Sequence, residues 1–300
     1  MDASPELFVA LPTRVKICYQ TIGNPADPAV VLIPGGSGSM LEWRDGMLAL
    51  FSPPENPHFL IRFDSRDTGL STEFPVPGGY TLGDMAGDIE GLVDHIGLTN
   101  GFHIVGPSMG GPIAAIVAAR RSQQVRSLTL LYASPGATSG LPLKEGYSSL
   151  GVGSMGYDKQ TFIQNHINLY KSLTTQPPDE GERKDYEALV RRICDRESKS
   201  GTLYSKGPNH GGAAFAGWPG LELLKDVQCP ATVIQAAKDQ IFGKEHGETL
   251  AKGIEKAEYV LWDDVGHELP WRIWKRMAEV FLQTWKRGDD AWVKGSDTAE

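Results

Sequence analysis

The sequence predicts an α/β fold, with a mostly parallel central sheet flanked by helices and a helical insertion above it. Segments typical of strands alternate with segments typical of helices along most of the chain. Ala29–Ile33 is a short, continuous apolar run that ends at Pro34 and Gly35, as expected for a parallel strand buried on both faces. The stretch 136–225 breaks this alternation, because it contains helical patterns and no convincing buried strand. It is too long to be a loop in a compact domain.

The first half of the chain contains five predicted strands and two predicted helices. The strands are Val15–Thr21, Ala29–Ile33, His58–Phe63, Phe102–Val105 and Val125–Tyr132. After Thr81, apolar residues recur every three or four positions, which predicts an amphipathic helix with Thr81 as N-cap and Gly97 as its end. A second helix, rich in small residues, is predicted over Gly110–Arg121.

The second half returns to the alternating pattern after the insertion. Strands are predicted over Ala231–Ala236 and Glu258–Trp262, with a helix around His246–Ile254 between them and a final helix over Trp271–Trp285. We therefore expect residues 1–135 and 226–290 to form the core and 136–225 to form a helical cap. The polar residues 291–300 are expected to be a flexible tail.

Composition excludes several classes of protein. The 300 residues carry a net charge of −8, which argues against a nucleic-acid binder and against docking on anionic lipid. No apolar run approaches the length of about 20 residues that a membrane span needs, and residues 1–6 do not resemble a signal peptide. The widely spaced Cys18, Cys194 and Cys229 suggest reduced thiols, so we expect a cytoplasmic protein without a structural zinc site.

The strongest catalytic signal is the sequence Gly106-Pro107-Ser108-Met109-Gly110, between a predicted strand and a predicted helix. A G-x-S-x-G motif in this setting is typical of a nucleophile elbow, a sharp turn that exposes the serine. The glycines leave room for close backbone approach, and the N-terminus of the following helix favours negative charge. The alternative is an ordinary glycine-rich turn.

A serine nucleophile needs a base, and the base needs an orienting carboxylate. His267 follows the strand Glu258–Trp262 and Asp239 follows Ala231–Ala236, so both should project from the carboxyl edge of the sheet. The chain order serine, aspartate, histidine matches the order in this type of hydrolytic site. Asp263 and Asp264 are alternatives but lie too close to His267 in sequence, and the other six histidines are better explained as packing or surface residues.

An oxyanion formed by attack of Ser108 needs two fixed backbone N–H donors. We expect them to be Met109, which follows the serine, and Gly36, in the loop after Ile33. The glycines of that loop fit neither a phosphate-binding loop nor a dinucleotide fingerprint. The sequence after His267 lacks the second histidine of a zinc motif, so no metal and no other cofactor is predicted.

Other residues are weaker candidates. Asp64 to Ser71 could be mistaken for a paired-carboxylate site, but a structural turn around Arg66 is favoured. Candidates for the substrate pocket are Gly35, Trp43, His166, Tyr170 and Trp218, with Phe162, Tyr204 and Phe215 as further aromatic residues of the insertion. For Trp43, packing in the core is nearly as good an interpretation, and each aromatic or histidine residue of the insertion is more often a core residue.

Together these residues resemble the α/β-hydrolase superfamily from about Val15 to Trp285, and within it the branch that contains aclacinomycin methylesterase. The branch resemblance rests on 23–29, the Gly35-Gly36 loop with Trp43 beyond it, 62–69 and 233–236. It implies an α/β-hydrolase fold, a helical cap over the pocket, and oxyanion donors at Gly36 and Met109. Ser108 excludes the dehalogenases and epoxide hydrolases of this superfamily, which use an aspartate at the elbow.

Two functions remain open at this point. The first is a serine hydrolase of a carboxylic ester or lactone, such as a methyl ester of a polyketide-type natural product. The second is carbon–carbon bond cleavage or other non-hydrolytic chemistry, or a ligand-binding receptor with little turnover, because function resides in the site and not in the fold. In either case the expected partner is a small molecule, not a nucleic acid or a membrane.

Overall fold

The computed structural model describes residues 3–136, 139–145, 158–200, 202–216, 218 and 220–297, with the backbone only for 202–205, 215 and 294–297. Its centre is an eight-stranded sheet with the order β1-β2-β4-β3-β5-β6-β7-β8. The strands β1 and β2 pair in antiparallel fashion, β2 is also antiparallel to β4, and the remaining pairs are parallel. The strands are β1 Leu7–Ala10, β2 Lys16–Ile22, β3 Ala29–Leu32, β4 Phe59–Phe63, β5 Phe102–Pro107, β6 Val125–Leu131, β7 Ala231–Ala236 and β8 Ala257–Trp262.

Helices cover both faces of the sheet. They are α1 Asp45–Phe51, α2 Leu82–Ile96, α3 Gly110–Arg120, α4 Lys159–Leu173, α5 Glu180–Ser200, α6 Thr202–Phe215, α7 Lys244–Gly253 and α8 Trp271–Asp297. Because side chains alternate along a strand, Val31 packs in the core layer with α2, α3 and α7, whereas Val30 and Leu32 pack in the layer with α1 and α8. The capping box at Thr81 and the left-handed Gly97 bound α2 as its sequence predicts.

Three helices, α4 to α6, occupy the segment between β6 and β7. Arg196 of α5 forms an ion pair of 2.8 Å with Asp64, whose side chain is fully buried after β4. Lys206 of α6 pairs with Glu197 of α5 at 2.7 Å, and neither side chain is exposed. Buried charges of this kind are tolerated only when they are paired, so these contacts fix α5 and α6 against each other and against the core.

The predicted α/β class with a mostly parallel sheet is confirmed, but three elements differ from the prediction. The edge strand β1 and the short helix α1 were not predicted, because neither carries a long periodic pattern. The last helix continues past Trp285 to Asp297, so residues 291–297 do not form the separate tail that we expected. In this added part the Trp292 ring lies 5.1 Å beneath the Arg126 guanidinium, and Asp289 pairs with Arg126 at 2.7 Å.

Among the described helices, none is long and apolar enough to cross a lipid bilayer. Cys18, Cys194 and Cys229 are buried free thiols.

Candidate active site

Ser108 lies on the sharp turn between β5 and α3. Its backbone φ is 51°, in the left-handed region that residues other than glycine rarely adopt. The turn is held by two backbone hydrogen bonds: the Ser108 N–H donates to the Leu131 carbonyl at 2.8 Å, and the Gly111 N–H donates to the Ser108 carbonyl at 3.0 Å. Strained backbone persists where the surroundings enforce it, and functional sites are the usual place.

The glycines of the motif are required by the close packing of this turn. A Cβ atom on Gly106 would lie 2.1 Å from the Gly110 carbonyl oxygen, and one on Gly110 would lie 2.8 Å from the Pro34 carbonyl oxygen. Neither distance is compatible with a side chain. The G-x-S-x-G spacing therefore follows from the tight crossing of strand and helix at Ser108.

His267 and Asp239 meet at the carboxyl edge of the sheet. The His267 Nδ1 lies 2.8 Å from Asp239 Oδ2. The other carboxylate oxygen, Oδ1, accepts the backbone N–H groups of Ile241 at 2.7 Å and Phe242 at 2.9 Å. The Asp239 side chain is fully buried, so three donors hold a desolvated carboxylate in one orientation. Nε2 is therefore the ring nitrogen of His267 that does not face Asp239.

Tyr132 connects the serine turn with the histidine. It follows Leu131, the acceptor of the Ser108 N–H, and its ring centroid lies 6.0 Å from that of His267. Burial raises the pKa of the phenol well above its ordinary value, so Tyr132 is neutral. Its buried hydroxyl has no hydrogen-bond partner among the described residues. Sequence reasoning did not single out Tyr132, because it reads simply as the last residue of an apolar strand.

The loop after β3 lies against the serine turn. An ideal Cβ on Gly36 would lie 3.5 Å from the Met109 Cβ, and one on Gly35 would lie 3.9 Å from the Ser108 Cβ. The next residue, Ser37, has a φ of 60°. Its N–H donates to Nδ1 of His210 in α6 at 2.8 Å. The structure thus places Gly36 against Met109 and Gly35 against Ser108, and it pairs His267 with Asp239.

Glu268 ties the histidine loop to the segment between α4 and α5. Its buried Oε1 accepts the Thr175 N–H at 3.0 Å and the Thr175 hydroxyl at 2.7 Å, and it pairs with Arg272 at 2.6 Å. The His267 N–H donates to the Gln240 side chain at 3.0 Å. Neither Glu268 nor Gln240 was singled out from the sequence, because their partners lie 93 and 27 residues away.

Glu42 lies beside the same loop and was also missed. An ideal Cβ on Gly38 would lie 2.6 Å from Glu42 Oε2, so the carboxyl group folds against the Gly38 backbone. Burial raises the pKa of Glu42 to about 7, and the positive charge of Lys206 limits the rise. No sequence pattern near Glu42 signals this environment.

The predicted pocket residues occupy varied positions. Trp43 is a core side chain in the layer with α1 and α8, and its indole N–H donates to the Ile33 carbonyl at 3.2 Å. Trp218 is buried in the opposite core layer. His166 is buried against the Phe162 ring at 4.2 Å, with a pKa lowered to about 3, mainly by burial. These contacts fit the packing interpretation that the sequence left open. The side chains of Tyr204 and Phe215 lie outside the described residues.

Tyr170 lines a cavity of about 390 Å³ within the cap. Its ring stacks on Tyr186 at 3.9 Å, and its hydroxyl donates to Glu182 at 3.0 Å. Glu182 also accepts the N–H of Trp271, the first residue of α8. The lining of this cavity does not include Ser108, Asp239 or His267.

The charged residues that the sequence offered as weaker candidates for the site form ion pairs with other residues. Asp64 pairs with Arg196, Arg66 with Asp88 at 2.7 Å, and Asp264 with Arg276 at 2.9 Å. Within the described residues, no group of three or more histidine, cysteine, aspartate or glutamate side chains could hold a metal ion.

The chain belongs to the α/β-hydrolase fold family, whose sequence profile matches residues 28–272. It is 26% identical over 290 residues to rhodomycin D methylesterase from Streptomyces sp. (strain C5), covering 89% of this chain and 96% of that protein. The resemblance inferred from the motifs is thereby confirmed for the superfamily and for the methylesterase branch.

Solved structures show the same fold. An esterase from Rhodococcus sp. ECU1013 superimposes with a TM-score of 0.73 at 22% identity, covering 93% of this chain and 99% of that chain. An enol-lactonase from Burkholderia xenovorans LB400 gives a TM-score of 0.68 at 20% identity, with 92% and 100% coverage.

Proposed function

We propose that this protein is a serine hydrolase of small carboxylic esters, with Ser108 as nucleophile, His267 as base and Asp239 as the orienting acid. The observation that carries the proposal is the 2.8 Å contact between His267 Nδ1 and Asp239 Oδ2, beside the left-handed turn at Ser108. Ester hydrolysis is also the activity named for the methylesterase relative that covers most of the chain.

In the first half of the reaction, His267 Nε2 takes the proton of the Ser108 hydroxyl as Oγ attacks the ester carbonyl. The N–H groups of Gly36 and Met109 donate to the oxyanion of the tetrahedral intermediate. His267 then gives its proton to the leaving alcohol, and an acyl-enzyme remains. In the second half, water attacks this acyl-enzyme with His267 again as base, releasing the acid and restoring Ser108.

Asp239 stabilises the protonated His267 that forms in each half-reaction. Its Oδ1 already accepts two backbone N–H groups, so the carboxylate does not need to reorganise as the imidazolium forms. The substrate class that we propose is a methyl ester of a polyketide-type compound: the methyl ester follows the name of the relative, rhodomycin D methylesterase, and the polyketide follows the sequence resemblance to the branch of aclacinomycin methylesterase. A lactone is a second substrate form that the same acyl-enzyme chemistry would open.

The test compares hydrolysis of p-nitrophenyl acetate by the wild-type protein, Ser108→Ala and the control Ser122→Ala, a serine at the end of α3. We expect Ser108→Ala to lose about 10⁴–10⁶-fold in kcat and Ser122→Ala to match the wild type. Equal turnover by wild type and Ser108→Ala, or none by either, would contradict the proposed nucleophile or activity. Methanol release from methyl esters of aromatic polyketides, compared with that from the ethyl esters, tests the substrate class.

A further inference from the structure

We infer that His210 positions the loop after β3 that contains Gly36, here called the oxyanion loop, by accepting a hydrogen bond from the Ser37 N–H. Sequence analysis had interpreted His210 as a packing or surface residue of the predicted cap. This inference rests on the proposed esterase function, since it concerns the oxyanion donor Gly36. It makes His210 a positioning residue and not a catalytic one, because its ring contacts the loop backbone.

The first step of the argument is the backbone of Ser37. Its φ of 60° is unfavourable for a residue with a Cβ, so the loop needs external contacts to hold it. Within the loop itself, the Gly38 N–H donates to the Gly35 carbonyl at 3.1 Å and closes a tight turn. The Ser37 N–H points out of this turn, toward α6.

The second step is the use of both ring nitrogens of His210. Nδ1 accepts the Ser37 N–H at 2.8 Å, so the proton of the neutral ring is on Nε2, which donates to the Arg66 carbonyl at 2.8 Å. The imidazole thus bridges the oxyanion loop and the loop after β4. The ring is 2% exposed, and an unpaired N–H at this depth would be costly, which favours the bridged geometry.

The third step links this bond to Gly36. The bonded N–H belongs to the peptide unit that joins Gly36 to Ser37, so its direction fixes the backbone dihedral ψ of Gly36. Gly36 itself lies against Met109, the other expected donor. Loss of the His210 acceptor would let Ser37 leave the left-handed region, and the Gly36–Ser37 peptide unit would no longer hold Gly36, so that the N–H of Gly36 would lose its fixed direction.

The fourth step is the anchoring of α6, which makes His210 a rigid support. The neighbouring Asn209 donates to Asp67 at 3.1 Å and accepts the Gly78 N–H at 2.6 Å. Lys206, one turn earlier, is held by its buried ion pair with Glu197. The geometry of the oxyanion loop therefore depends on the docking of the cap on the core.

The experiment measures kcat and KM for p-nitrophenyl acetate in two variants. His210→Phe keeps an aromatic ring but has no hydrogen-bond acceptor. His210→Asn keeps an acceptor, because its Oδ1 can accept the Ser37 N–H. We expect kcat to fall about 10–100-fold in His210→Phe and to stay much closer to wild type in His210→Asn. KM should change less than about threefold, because oxyanion contacts form mainly in the transition state. Inhibition by a trifluoromethyl ketone should weaken in parallel with kcat/KM.

The matched control is His58→Phe, since His58 is equally buried at 2% exposure but lies at the opposite edge of the sheet. It should keep wild-type kcat and KM. Wild-type kcat in folded His210→Phe, an equal loss in His210→Asn, or an equal loss in His58→Phe would overturn the inference.

A second measurement avoids substitution at His210 altogether. Amide hydrogen exchange of the wild-type protein should show the Ser37 N–H protected, and rapid exchange there would overturn the inference even if His210→Phe does not fold. Failure of this inference is distinct from failure of the proposed function. An active wild type with an inactive Ser108→Ala variant and an active His210→Phe variant would contradict only the role of His210.

Discussion

At the scale of single residues, the site depends on a few side chains and backbone positions that hydrogen bonds hold in one geometry. Asp239 has a donor on each oxygen, and Ser108 holds a left-handed backbone between two hydrogen bonds. The sequence predicted a sharp turn at Ser108 and Asp239 as the partner of His267, but not the backbone donors to the second oxygen of Asp239. The geometry of Ser108 and Asp239, with the hydrogen-bonded His267, defines where a proton can move.

Asp239→Asn should leave the fold intact and reduce kcat for p-nitrophenyl acetate by about 10³–10⁴-fold. The amide can present its NH₂ group to His267 Nδ1, which favours the tautomer with the proton on Nε2, the wrong nitrogen for a base. The control is Asp263→Asn, the same chemical change at an exposed residue near His267. A kcat within threefold of wild type for Asp239→Asn would exclude Asp239 as the orienting acid, with threefold taken as about the scatter of such kinetic comparisons.

Gly106→Ala should lower the free energy of unfolding by about 3 kcal/mol or more, because the new methyl group would lie 2.1 Å from a backbone oxygen of α3. Gly87→Ala in α2 is the matched control, since a Cβ there meets nothing within 4 Å. It should raise stability by about 0.5–1 kcal/mol, as expected for alanine in a helix. Urea unfolding of both variants measures the difference, and equal midpoints would contradict the tight crossing of β5 and α3.

At the scale of elements, helices α4 to α6 are joined to the rest of the chain by buried polar contacts as well as by apolar packing, in which Met40 and Leu41 lie in one cluster with Phe162, Val190 and Ile193. Arg196 in α5 reaches Asp64, Lys206 in α6 pairs with Glu197, and Thr175 between α4 and α5 donates a hydrogen bond to Glu268, which follows His267. The contacts of Arg196 and Thr175 join residues 132 and 93 positions apart, whereas the Lys206–Glu197 pair joins two neighbouring helices, nine residues apart. The sequence predicted helices in this segment, but it gave no indication of these partners.

Arg196→Met should destabilise the protein by about 3–5 kcal/mol, because it leaves Asp64 charged, buried and without its counter-ion. Lys184→Met removes a charge of the same sign from the same helix, but its ion pair with Glu180 is exposed on both sides. That control should change stability by less than about 1 kcal/mol. Thermal unfolding of both variants measures the contrast, and similar losses would show that the Arg196–Asp64 pair does not anchor α5.

At the scale of the whole molecule, buried titratable groups link stability to pH. Burial lowers the pKa of His58 and His210 to about 4 and that of His166 to about 3. The unfolded chain therefore binds more protons than the folded protein between these values and about 6.5. Stability from these groups is complete above pH 6.5 and is lost as the pH falls toward 4. Glu42, with its pKa raised to about 7, acts in the opposite direction over part of this range.

We expect the three histidines to lower the free energy of unfolding in urea as the pH falls from 6.5 to 4, against the opposite effect of the carboxyl groups whose pKa burial raises, Glu42, Asp88, Glu90 and Glu197. In His58→Gln the fall should be smaller, because that variant cannot take up a proton at position 58. One pKa unit corresponds to about 1.4 kcal/mol, so the difference between the two proteins is measurable. Identical slopes for wild type and variant would show that His58 does not contribute.

The sequence by itself determined the α/β class, seven of the eight strands, and the order of the serine turn, the acid and the base. These features depend on local periodicity and on short motifs, which a chain carries wherever it folds. The edge strand β1 and the short helix α1 escaped prediction, because their patterns are too short to stand out.

The tertiary structure alone decided which distant residues meet. The hydrogen bond between Ser37 and His210 joins residues 173 positions apart, and the hydrogen bond between Thr175 and Glu268 joins residues 93 positions apart. It also decided that Trp43 belongs to the core and that α8 extends to Asp297. The physical reason is that burial and hydrogen-bond partners are set by the packing of whole elements, whereas a sequence pattern reports only the face that each element presents.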